Sequence, residues 1–437
     1  MHFIVLLWIL EEVVNWRLIN MGRNILISCA FWNMGETSLA VEIAKNLKSN
    51  NNVIFFSFGG DYEYVVENER FKIIHLKPMI DKKKTRHLYE IDRCEKFGSY
   101  FTIKEIREQV ISELELFDTI HPDAIISALN FSSFISARIA KISLFSIGHS
   151  TWLCETATRI GKVNIFNSDK YHLNDVQVIL TKIMAKLYIK NIISPYNCVM
   201  KSYNLKSFKG YEEWWSGDYT IMTEPEGFVE DLNVLTPHFY TGAIYADLKG
   251  EVPFDMDEIR KNYKDKKIIY FAMGSSGILK IIKNIILELS LMQDYIFITP
   301  MQKKIEELGI KKPKNFIITD WIPTKDVLPL FDAAIIHGGL GTVFSTINAE
   351  IPFISIPMHA EQELNADYCV DKKICLKVQP FNSSIRKRLK NHLIEITNNE
   401  IYKINITKYA EKVRSKRNVQ RLDEFIEQSI AKYKGEI

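Results

Sequence analysis

The sequence predicts an α/β protein of two Rossmann-like domains whose parallel sheets face a central cleft. Three observations carry that reading. Short apolar runs alternate with stretches of helical spacing from Asn24 onward. The alternation pauses in the polar stretch YADLKGEVPFDMDEIRKNYKDKK and resumes at Lys267. At 437 residues, 47% hydrophobic and 25% charged, the chain is long for one core and comfortable for two. The expected division is an N-terminal extension (1–23), a first Rossmann-like domain (24–242), a linker (243–266) and a second domain with C-terminal helices (267–437).

The first ten residues, MHFIVLLWIL, are apolar but too short to span a bilayer, and Glu11 and Glu12 follow at once. They lack a basic n-region and a small-residue cleavage site, so no signal peptide is expected. Met21 directly precedes a strand, so residues 1–20 read as a mis-called start, with a membrane-surface helix as the alternative. From Asn24 the order is NILISCA (strand), SLAVEIAKNLK (helix), then NVIFFSF and KIIHL (strands). DAIISAL, SSFISARIAK and SLFSIG continue the pattern. Residues 82–117 and 169–215 break it; both are basic and aromatic-rich and suit insertions over a cleft. The second cycle runs KIIYFAM, GILKIIKNIILELSL, YIFIT, NFIIT, AAIIH, GTVFSTINA, FISIP and EQELNADYC, then a last helical pair.

Net charge is +3, which gives no nucleic-acid footprint. Six scattered cysteines form no CxxC pair and no metal-ligand spacing, so reduced thiols in a cytoplasmic protein are expected and no metal site. Asp255-Met256-Asp257 looks like a metal-binding DxD, but its place before a helical pattern favours capping.

Sheets of this kind bind ligands at the carboxyl ends of their strands. Two glycine-bearing turns lie there, Met273 to Gly277 and His337 to Thr342. A helix N-terminus with bare amides suits an anion, and glycine lets the backbone approach phosphate oxygens. Neither turn is GxGxxG with a following acid, and no GxxxxGK[ST] occurs. Two such turns facing one crevice, one with a histidine, point to a diphosphate.

The motifs D-W-I-P (320–323), H-G-G-L-G-T (337–342), I-P (351–352) and E-Q…N-A (361–366) resemble the donor motif of family-1 nucleotide-sugar glycosyltransferases of the GT-B fold. YNLKSF (203–208), GDYTIM (217–222) and YTGA (240–243) resemble that family's inter-domain approach. The resemblance implies that Trp321 stacks on the nucleobase and the Ile322 backbone pairs its edge. Ser275, Gly339 and the amides of Gly341 and Thr342 would hold the phosphates. His337 would donate to the diphosphate as charge develops, with no metal and no cofactor beyond the nucleoside-diphosphate sugar, UDP-sugar first. Glu361 and Gln362 would bind the sugar hydroxyls. Two departures stand out. Ser345 replaces the glutamate that usually grips the ribose, which leaves uridine against thymidine open. The usual catalytic His–Asp pair is missing: the first turn is Asn33-Met34-Gly35-Glu36-Thr37, and the aspartate's place falls near Asn130. Glu36 is then the candidate base, weighed against a plain helix-start role, with His149 as the runner-up.

The expected function is inverting transfer of a hexose or N-acetylhexosamine to an acceptor hydroxyl. A UDP-sugar epimerase of the same fold and a non-catalytic donor-fold partner subunit are the alternatives. The acceptor is unknown. Lys182, Lys186 and Lys190, four residues apart beside apolar positions, allow a lipid-linked acceptor and peripheral membrane contact, or an ordinary solvated face.

Overall fold

A computed structural model describes residues 22–92, 95–153, 175–229, 234–245, 250–274, 277–358, 360–380 and 385–436 of the chain. The expected N-terminal extension therefore lies, but for residues 22–23, outside the described residues. The first sheet has seven parallel strands: β1 (Arg23–Cys29), β2 (Asn51–Ser57), β3 (Lys72–His75), β4 (Ala124–Ala128), β5 (Ser143–Gly148), β6 (Tyr219–Met222) and β7 (His238–Tyr240), in the order β3-β2-β1-β4-β5-β6-β7. The second has six: β8 (Lys267–Ala272), β9 (Tyr295–Thr299), β10 (Phe316–Ile318), β11 (Ala333–Ile336), β12 (Phe353–Ser355) and β13 (Cys375–Lys377), ordered β10-β9-β8-β11-β12-β13.

All registered pairs are parallel; Ile25 of β1 sits between Val53 and Ala124, and Ile335 of β11 between Phe271 and Ile354. Helices cover both faces, so the central strands are buried past their first residues and read as near-continuous apolar runs. Strand order reverses between β1 and β4, and again between β8 and β11. Those two switch points are where a doubly wound sheet opens a crevice.

The two irregular regions resolve differently. Helix Ile103–Ile120 starts with a Thr102–Glu105 capping box and buries Val110, Leu116 and Phe117 against the first sheet, so it is the β3–β4 crossover and part of the core. Helix Asp175–Ser202 runs 28 residues and packs its C-terminal half, through Ile192, Tyr196 and Val199, on the same core. Asp255 caps helix Met256–Asn262 by accepting from the Asp257 and Glu258 amides, as its position predicts.

Beyond the linker, the described residues show the chain returning from the second domain to the first. After helix Glu400–Ser415 it returns to the first sheet, where helix Leu422–Lys434 packs Leu422, Ile426 and Ile430 into the core behind β1. Phe425 stacks on Phe239 of β7 at 5.2 Å, and Arg23 pairs with Asp423 at 2.8 Å. The last helix of the expected 267–437 unit thus packs with the first sheet. The return lies beside the outgoing linker: the Asn418 amide donates to the Thr241 carbonyl at 2.8 Å, and a Cβ on Gly242 would sit 2.7 Å from Arg417 Cα.

Candidate active site

Both switch points open toward each other. On the second sheet, His337, which is 8% exposed, directly follows β11, and Gly274 lies two residues past the end of β8. The imidazole is clamped between two glycines: a Cβ on either Gly274 or Gly339 would lie 2.5 Å from His337 Nε2. Gly274 is moreover at φ +62°, where a side chain is strained. Gly338, at φ +89°, has Ser355 Oγ 2.6 Å from its virtual Cβ. Gly341 is different. It lies in the first turn of helix Leu340–Asn348, and among the described residues outside that turn nothing comes within 4 Å of where its Cβ would be. The protein's own packing does not require that glycine.

Gly339 is the N-cap of this helix and supplies no side-chain cap. Ser345 Oγ donates to the Gly341 carbonyl at 2.9 Å, so its proton is already committed. Thr342 is half-buried beside Gly341, Trp321 is half-buried, and Ile322 is 3% exposed. A Cβ on Gly250 of the linker would meet the Trp321 ring at 2.3 Å, so the linker backbone lies against the indole. Ser275 lies outside the described residues.

Helix Ala360–Asp371 follows β12 and is fixed from below by buried Lys377, whose ammonium pairs with Glu363 at 2.6 Å and with Asp367. That anchor turns Glu361 into the cleft. Asn365 donates both to Glu361 and, at 3.0 Å, to the Gly338 carbonyl, tying the helix to the glycine turn. Burial, with the Asp92 carboxyl adding to it, pushes Glu361 up to about 8. Gln362 is buried, and its Oε1 accepts from the Met358 amide at 2.9 Å.

Across the cleft, Glu36 stands in the first turn of helix Met34–Leu47, after β1. Capping is already done by Asn33, whose Oδ1 accepts from the Gly35 amide at 2.9 Å. Glu36 is only 4% exposed, and among the described residues its Oε2 has no hydrogen-bond partner. Phe31 and Trp32 of the same turn are buried too. Burial, then the nearby Asp92 and Glu361 carboxyls, hold Glu36 well above the usual carboxylate range. His149, after β5, keeps Nε2 4.0 Å from Glu361 Oε1 and Nδ1 2.7 Å from Thr151 Oγ1. Burial pushes it down to about 3, so the imidazole is neutral.

His149 also packs at a tilt on Trp152, ring centroids 3.8 Å apart, and Trp152 stands 4.4 Å from Trp215, an aromatic wall along the cleft. Asn130, after β4, donates to Ser28, Glu113 and Ser133 and so belongs to a buried polar network. Glu36, His149, Glu361 and His337 therefore border one crevice. Two members were missed from sequence. Lys304, in the short helix Gln302–Glu307 after β9, donates to the Gly274 carbonyl and brings a cation to the donor-side turn. Asp92 ends the lysine-rich helix Lys82–Asp92 and faces Glu36 and Glu361. Nothing in the local pattern of either residue marks it.

Facing switch points at the ends of two doubly wound sheets are the two-domain GT-B plan. The sequence profile described as UDP-glucoronosyl and UDP-glucosyl transferase matches residues 168–428, and the chain belongs to that family. A PGL/p-HBAD biosynthesis rhamnosyltransferase of Mycobacterium bovis (strain BCG / Pasteur 1173P2) is 22% identical over 276 residues, 62% of this chain and 59% of that protein. UDP-glucuronosyltransferase 2B17 of Homo sapiens is 27% identical over 205 residues, 46% of this chain and 36% of its own. The chain thus spans less than two thirds of these relatives' length. Among solved structures, the glycosyltransferase VinC in complex with dTDP superposes with a TM-score of 0.62 at 14% identity, covering 93% of this chain and 100% of VinC. Spinosyn forosaminyltransferase SpnP gives 0.66 at 11% identity, with 94% and 99% covered. The fold likeness includes both domains.

Proposed function

We propose that the protein is an inverting glycosyltransferase that moves a hexose or N-acetylhexosamine from a UDP-sugar to a hydroxyl of a small-molecule or lipid-type acceptor, without a metal. The observation that carries this is the buried, unpartnered Oε2 of Glu36 opposite Glu361 and His149. An acceptor hydroxyl placed there loses its proton to Glu36 as its oxygen attacks the anomeric carbon. The bond from that carbon to the diphosphate oxygen breaks, and the nucleoside diphosphate leaves. His337, the amides opening helix Leu340–Asn348 and Lys304 meet the charge that develops on it. The nucleobase lies on Trp321, and Glu361 holds a sugar hydroxyl. A raised carboxyl is a better base near neutral pH than an ordinary one, whereas an imidazole at about 3 is a poor one. Glu36 is therefore preferred to His149.

A dTDP-deoxyhexose donor is the second reading. Ser345 has its proton on Gly341 and offers no carboxylate to a ribose 2′-hydroxyl; one relative is a rhamnosyltransferase. Titration calorimetry with UDP and with dTDP, both in EDTA, ranks the two. Binding of either should weaken at least about tenfold, a difference of about 1.4 kcal/mol, in Trp321→Ala. Binding that needs Mg²⁺ overturns the metal-free reading. With radiolabelled sugar nucleotides and a lipid extract as acceptor source, Glu36→Gln should cut turnover at least about a hundredfold with UDP affinity unchanged. Wild-type turnover in that variant, with loss in His149→Ala, moves the role to the histidine.

A further inference from the structure

Helix Asp175–Ser202 is apolar on two opposite sides. Its C-terminal half buries Ile192, Ile193 and Tyr196 in the first domain. Its N-terminal half carries Val176, Ile179, Leu180, Ile183, Met184 and Leu187, each between 45% and 65% exposed. Their spacing of three and four places all six on one stripe, which runs about 17 Å along the helix. A contiguous exposed stripe of large apolar side chains marks a surface that meets something. Charge narrows what it meets. Lys186 and Lys190 are exposed along one edge of the stripe, and the sequence from Val176 to Ser202 contains no aspartate or glutamate. An apolar face edged with lysines is the pattern of a helix lying in a membrane interface. Among the described residues no helix is long and apolar enough to cross a membrane, so the fit is to lying on a bilayer.

We propose that this face docks the protein on an anionic lipid surface and so brings the acceptor side of the cleft to the bilayer. The proposal deepens the lipid-type acceptor reading above. One helix joins stripe and cleft. Just past Leu187, the Tyr188 hydroxyl donates to the Ile91 carbonyl, next to cleft-facing Asp92. Further along, the helix packs beside Trp215, which leads through Trp152 to His149.

The test is flotation of the full chain with phosphatidylcholine vesicles and with mixed phosphatidylcholine–phosphatidylglycerol vesicles. Wild type should float with the mixed vesicles and stay behind with phosphatidylcholine alone. Ile183→Glu with Leu187→Glu should abolish flotation. Lys186→Glu with Lys190→Glu should weaken it at least about thirtyfold, from roughly a fivefold factor per lysine. All four side chains are exposed or edge positions, and UDP calorimetry on each variant shows that the donor side still folds. UDP binding without flotation overturns the docking proposal and leaves the transferase reading standing; flotation without UDP binding does the reverse. Equal flotation with both vesicle types overturns the anionic specificity. A dimer in light scattering that the Ile183/Leu187 variant dissolves assigns the face to a second copy instead.

Discussion

Replacing Gly341 with alanine separates two reasons for a glycine. If the position served only the fold, its missing side chain would be explained by a neighbour, as at Gly274 and Gly338. Outside its own turn, no atom of the described residues lies within 4 Å of the virtual Cβ, and the backbone is helical. Alanine is favoured over glycine inside a helix by about 0.5–1 kcal/mol, so Gly341→Ala should melt at the same temperature as wild type or up to about 4 °C higher. Ligand binding should move the other way. A phosphate oxygen accepting from this amide sits about 2.9 Å from the nitrogen, within the space a methyl group would fill. Loss of one such contact predicts a UDP dissociation constant raised about tenfold, or about 1.4 kcal/mol. Differential scanning fluorimetry and calorimetry on the same preparation read both effects. A variant as stable as wild type that binds UDP equally well refutes the assignment of Gly341 to the phosphates, and a variant that melts lower refutes the open space.

Gly274→Ala is the contrasting case. The new methyl would sit 2.5 Å from His337 Nε2 at φ +62°, so the imidazole must move by about 1 Å and the backbone takes on roughly 1–2 kcal/mol of strain. Both melting temperature and UDP affinity should fall, and an unchanged melt overturns the clamp. Glu113→Gln tests the network under Asn130. Burial pushes Glu113 up from 4.5 to about 7 in the folded chain, so the folded state holds a proton that the unfolded state releases earlier. That stability is complete below about pH 4.5 and is lost as pH rises toward 7, a swing on the order of 3 kcal/mol that the glutamine lacks. Melting curves from pH 4.5 to 7.5 should show wild type losing ground to the variant; a constant gap overturns the assignment.

The sheets were legible because parallel strands covered on both faces must be apolar along their whole length, and NILISCA, DAIISAL, KIIYFAM and AAIIH are. Glycines that clear an imidazole leave a signature, so the packing of Gly274 and Gly339 around His337 has a visible trace in one dimension. Asp255 was legible as a cap because capping is local. Lys304 and Asp92 were hidden because their importance comes from residues far along the chain, and an isolated lysine or aspartate in a charged helix has no distinguishing period. Residues 103–120 misled for a related reason: an amphipathic crossover helix and a surface insertion share one composition, and only the packing of Val110 and Phe117 tells them apart. The return of helix Leu422–Lys434 to the first sheet was equally invisible, since its apolar stripe fits either domain.

That return has a mechanical meaning. The outgoing linker and the returning chain touch where Asn418 meets Thr241 and Arg417 lies on Gly242. Two tethers set far apart would brace the halves like the opposite edges of a box. Fastened side by side, they seam the halves along one edge, and Phe228 and Val229, from the connection between β6 and β7, pack into the second core as well. Gly242, at φ +78°, has Arg417 pressed against it, so a side chain there would push on both tethers at once.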